Sequence, residues 1–153
     1  MNVHPHRVAA SVLFVAGGVI AAVAALAIAI AKILADAGMA GRPADAALLS
    51  DLAAILPFVS AFAGLNFLAA LGLLVGKSWA ETIGLGTAAV AVAVGATGLV
   101  LNVLGSDPSQ LTRRATVDGI TVLALFTILY LAAITALSLG RTQPQVTAIG
   151  AAA

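Results

Sequence analysis

"GLLVGKSWAET", residues 72–82, joins two long apolar runs through a turn of only two or three residues. Gly76 fits a helix C-terminus, because glycine adopts the left-handed conformation without steric cost. Ser78-Trp79-Ala80-Glu81 has the spacing of a capping box, in which the hydroxyl and the carboxylate satisfy orphan backbone N–H groups at the start of a helix. So short a connection makes the flanking helices neighbours that run in opposite directions. The stretch therefore predicts a helical hairpin.

Outward from the hairpin the same apolar texture repeats. The runs Val8–Ala31, Leu52–Val75, Ile83–Leu104 and Gly119–Leu139 dominate a chain that is 62% hydrophobic and 8% charged. A soluble domain carries about 25% charged residues, so this chain cannot coat a water-facing surface. A spanning helix needs roughly 20 residues, and each run meets that length. A membrane-spanning strand would need only about 9–11 in strict alternation. The expected fold is an all-α integral membrane protein, an antiparallel up-down-up-down four-helix transmembrane bundle. A single domain, residues 1–140, is followed by a disordered tail, 141–153.

Pro5 suits the entrance of the first helix, and Gly38 its end. Ala35-Asp36-Ala37 has the small-x-small form of a signal cleavage site, but the preceding run far exceeds an h-region of about 7–15 residues. The first helix is therefore expected to be retained. "PADAALLSD", residues 43–51, reads as a helical lead-in to the second helix, and Pro57 as a kink about one turn into the membrane. Asp107, Pro108 and Gln110 form the start signal of the fourth helix. Four spans put both termini on one side. Arg7, Lys77 and Arg141 there nearly balance Lys32, Arg42, Arg113 and Arg114 on the other, so the positive-inside rule leaves the orientation open. Asp36, Asp45, Asp51, Asp107 and Asp118 all fall on the loop side, which favours cytoplasmic termini. The expected location is the bacterial cytoplasmic membrane. The hairpin resembles a Gly-basic-x-Trp-Ala pattern of small bacterial four-helix membrane proteins over about a dozen residues, and this resemblance implies no activity.

Inside lipid, small residues bring helices together because they permit close backbone approach. Gly84, Ala88, Ala91, Gly95, Gly98 and Asn102 recur at spacings of 4 and 3 and share one face of the third helix. Ser11, Gly18, Ala22, Ala25, Ala29, Lys32 and Asp36 form a similar stripe on the first. Each is either a packing seam or chance in an Ala-rich chain. The sequence leaves open whether they face the bundle interior or an outside partner.

Lys32 interrupts "AIAIAKILADAG", residues 27–38, on that small-residue face. The apolar run before it spans about 36 Å at 1.5 Å per residue against a hydrocarbon core of roughly 30 Å. Lys32 thus falls at the membrane boundary. It is either a snorkelling anchor or one half of an ion pair with Asp36, Asp51 or Asp118. Near the midplane lie Asn66 and Tyr130, with Thr87 and Gly17-Gly18 at the same depth. Asn66 and Tyr130 read either as an interhelical hydrogen bond or as polar handles of a pocket for a lipid or quinone.

Several chemistries lack their residues. The chain has no cysteine, and its histidines, His4 and His6, precede the first span. Bis-His haem ligation or a metal centre inside the bundle is therefore not expected. No acid or base lies deep in a span, as a proton relay requires, and no nucleotide or hydrolase motif appears. A net charge of +1 leaves no nucleic-acid footprint. The sequence points to a non-catalytic protein without cofactor. It would pack with the lipid bilayer and with other membrane subunits, or with itself, as an accessory or scaffold. A small carrier, channel or binder for a hydrophobic solute is the alternative.

Overall fold

The computed structural model describes residues 5–39, 50–105 and 114–142. Four long helices make up these segments: α1 (Pro5–Leu34), α2 (Leu56–Leu74), α3 (Ser78–Gly105) and α4 (Arg114–Thr142). Four helical stretches are long and apolar enough to cross a membrane: Pro5–Gly38, which runs past the end of α1, Leu56–Leu74, Ser78–Leu101 and Gly119–Leu139. The expectations for residues 40–49, 106–113 and 143–153, including the Asp107 start signal and the tail, lie outside the described residues.

The turns follow from glycine and proline. Gly76 takes φ 76°, a left-handed conformation. Its N–H bonds the carbonyl of Leu73 at 3.1 Å, and the N–H of Lys77 bonds the carbonyl of Gly72 at 2.9 Å. This is the paired closure of a Schellman motif, and it satisfies carbonyls the helix end would orphan. At the other end of α1 the chain widens into a π-type turn, Ala35–Met39, where Gly38 also takes φ 76°. Pro57 acts differently from the expected mid-helix kink. Residues 50–54 are helical, Ile55 forms a turn, and α2 begins afresh at Leu56 with the proline in its first turn. Pro57 has no N–H to offer the carbonyl of Ala53, so the helix is interrupted there, and proline is well tolerated where a new helix starts.

Packing runs around a ring: α1 against α2, α2 against α3, α3 against α4, and α4 back against α1. Side chains are sorted by size in the reverse of a soluble protein. The buried apolar residues are mostly alanine, with Phe14, Leu73, Tyr130 and Leu137 among them. Valine, leucine and isoleucine crowd the outside, as at Val12, Leu26, Leu71, Val94 and Leu125. A core of alanine and glycine brings backbones close, which drives association where the surrounding medium is itself apolar.

Candidate functional site

The most polar point of the interior is built by three helices. Asn66 on α2 and Tyr130 on α4 are both fully buried. The Tyr130 hydroxyl donates to Asn66 Oδ1 at 2.7 Å, and Asn66 Nδ2 donates to the Phe62 carbonyl one turn back at 2.8 Å. That second bond turns the amide oxygen towards the tyrosine. α1 contributes absence: a Cβ at Gly17 would stand 2.7 Å from Tyr130 Cζ and closer still to the hydroxyl. Gly18 likewise lies against Asn66 and Phe67. Only glycine lets α1 close over the pair.

The Tyr130 ring is held by aromatic neighbours. Phe126 lies 4.9 Å away, Phe62 5.8 Å and Phe14 6.2 Å between ring centroids, all at inclined angles. Edge-on and tilted contacts place the positive ring edge on a negative face. Thr87, on the inner face of α3, is also buried. Among the described residues, no buried side-chain nitrogen or oxygen lacks a hydrogen-bond partner. Each side-chain nitrogen and oxygen of Asn66 and Tyr130 therefore has at least one partner, supplied by the other residue or by Phe62.

The α3 stripe faces inward. Gly84 lies under Phe14 and near Leu137, Ala88 and Ala91 are buried, Gly95 receives Thr127 Oγ1, and Gly98 meets the methyls of Leu123. Partner numbers on α4 fall as those on α3 rise. The α1 stripe is rotated from its expected setting. Ser11, Gly18 and Ala25 are buried, Ala29 is half-buried and Ala22 is exposed, while Phe14, Gly17 and Ala21 complete the covered face. The correction at Ala22 has a simple cause. Alanine lies on several sides of this helix, so residue size alone does not fix the packed face, and the large Phe14 turns inward because Gly84 makes room for it.

Lys32 pairs with Asp36 at 3.0 Å, one turn on and at the surface. Asp51 is exposed. The side chains of Asn102 and Asp118 lie outside the described residues. The charged contact the sequence did not suggest is at the opposite end. Arg7 Nη2 donates to Glu81 Oε1 at 2.6 Å, with both side chains less than a third exposed. It ties the start of α1 to the start of α3. Opposite charges near the two helix starts were the available signal. Close by, the Ser11 hydroxyl donates to the Ala70 carbonyl at 3.1 Å.

A second small-residue face was also missed. Thr82, Gly86, Ala89, Ala93 and Ala96 lie on the outer side of α3, all exposed, and a Cβ at Gly86 would meet nothing within 4 Å. The signal was Gly86 itself, a glycine of this helix that does not fall on the inner stripe. Comparison of the chain with protein-family models, with curated proteins and with solved structures returns no significant match.

Proposed function

We propose that the chain is a multi-pass integral membrane protein, an antiparallel four-helix bundle with both termini on one side. It acts as a non-catalytic accessory or scaffold subunit that associates with other membrane subunits or with copies of itself. The outer face of α3 carries this proposal. The other helices expose bulky aliphatic side chains such as Val12, Leu26, Leu71 and Leu125 with small residues such as Ala22 and Gly64 among them, whereas on α3 Thr82, Gly86, Ala89, Ala93 and Ala96 line up at spacings of 4 and 3 and leave a shallow track. Exposed Val90 and Val94 stand on one flank of it, and half-buried Leu85 and Val92 on the other. Such a track lets another helix approach closely in lipid. The inner stripe is already occupied by α4 and α1, so association would use the outer one.

The hydrophobic-solute alternative would give Asn66 and Tyr130 to a ligand. Their mutual bond and the closure of Gly17 over the ring favour a structural role for them instead.

Extraction in mild detergent followed by native mass spectrometry tests the proposal. The expected result is a complex of fixed stoichiometry that dissociates on Gly86→Leu with Ala93→Leu, both outward substitutions. A lone monomer, or a complex indifferent to those substitutions, overturns it.

A further inference from the structure

Among the described residues, burial stops short of one end in every helix. The buried residues run from Ala10 to Ala25 on α1, Ala63 to Leu73 on α2, Ala80 to Gly95 on α3 and Thr127 to Leu137 on α4. Towards the Gly76 turn these layers reach almost to the helix ends. Towards Gly38 they do not. Among the described residues, none is buried in 26–38, 50–62, 96–104 or 119–126. Within the four helices that leaves about 10–14 Å, at 1.5 Å per residue, without a sealed core. The inward-facing side chains there, Ile28, Val59, Phe62, Leu123 and Phe126, are only half-buried. Ile55, at the turn that precedes α2, is 46% exposed.

Three cross-helix ties hold the sealed part. Arg7 to Glu81, Ser11 to the Ala70 carbonyl and Tyr130 to Asn66 all lie in the sealed part. In the other part α2 is interrupted at Ile55, one turn before the inward-facing Val59.

We propose that the bundle is a one-ended hinge. The helix ends on the Gly38 side spread and close as stiff rods, while the part between the Gly76 turn and the Asn66–Tyr130 layer stays fixed. Local opening costs least where buried contacts are few, and well-packed layers resist it. The segments remain helical, so the motion is displacement of whole helix ends about a packed layer. Phe62 and Phe126 form the floor that spreading uncovers, with Tyr130 beneath them.

The chain has no cysteine, which allows paired spin labels without a background. Distance distributions by pulsed electron resonance, in lipid nanodiscs, compare the two ends on both diagonals. Val12 with Thr82 and Leu71 with Leu139 report the sealed end; Ile33 with Leu101 and Phe58 with Val122 report the other, every site being exposed. The expected result is narrow distributions for the first two pairs and distributions about twofold broader for the last two, because sealed layers restrain one end alone. Equal widths at the two ends on either diagonal overturn the proposal. Broad distributions for the pairs at the sealed end overturn it as well.

Discussion

Replacing Gly17 with alanine sets helix propensity against packing, and the structure says which wins. In an exposed helix interior, glycine to alanine stabilises by up to about 1 kcal/mol. At Gly17 the new Cβ would stand 2.7 Å from Tyr130 Cζ, where ordinary contact begins at 3.4 Å. The atom in the way is not the loose end of a flexible chain. It belongs to a ring bounded by Phe14, Phe62 and Phe126 and fixed at its hydroxyl by Asn66. Overpacking of this kind costs about 1–3 kcal/mol. Displacing the ring also loses an interhelical hydrogen bond, worth about 0.6 kcal/mol on average and up to about 1.7 in membranes. Set against the propensity gain, Gly17→Ala should destabilise by about 1–3 kcal/mol. Gly64→Ala is the matched control: it is exposed on α2 and its Cβ would meet nothing within 4 Å. It should be neutral or slightly stabilising. Unfolding free energies in lipid bicelles measure both. A Gly17→Ala variant as stable as the parent would refute the three-helix packing of this layer.

Further outcomes follow from the same contacts. Tyr130→Phe and Asn66→Leu should each cost about 1–2 kcal/mol by leaving a buried partner unmatched, while the double variant costs less than their sum; a mutant cycle of unfolding free energies reads the coupling. Gly95→Ala should destabilise more than Gly98→Ala, because Thr127 Oγ1 occupies the space at Gly95 whereas only the leucine methyls of Leu123 stand near Gly98, at 3.3 Å; thermal unfolding in detergent ranks them. Arg7→Ala should lower stability by about 1 kcal/mol or less, partly recovered in the swapped pair Arg7→Glu with Glu81→Arg, as thermal unfolding across a salt series would register. Lys32→Ala should change stability by only about 0.3–0.5 kcal/mol, since its partner Asp36 is an exposed neighbour on the same helix.

The long helices could be read from the sequence because length and apolarity are one-dimensional properties. Gly38 and Gly76 were legible for a similar reason: a left-handed residue beside a polar turn is a local demand, and glycine answers it locally. Depth counted along a helix put Asn66, Tyr130 and Gly17 at one level, but not their orientation about each helix. In α1, where alanine lies on several sides, the rotation is set by Phe14 finding Gly84, a match between residues distant in sequence. Arg7 and Glu81 were hidden in the same way: the expected topology put both helix starts at one end, but their meeting depends on how α1 and α3 are rotated. The effect of Pro57 was misjudged by position: its missing hydrogen bond interrupts the chain at Ile55, so the residue starts a helix instead of bending one.

Tyr130 has a further use that follows from where it sits. The chain contains one tyrosine and one tryptophan. The tyrosine is sealed in the middle layer, and Trp79, partly exposed, lies over Gly72 beside the Gly76 turn. Second-derivative ultraviolet spectra separate the phenol band, which reports the interior, and indole emission excited at the red edge, where the phenol does not absorb, reports the turn. Energy transfer between the two chromophores gauges the distance from core to surface in unlabelled protein. Loss of interior order and loss of the turn can thus be timed separately in one unfolding trace.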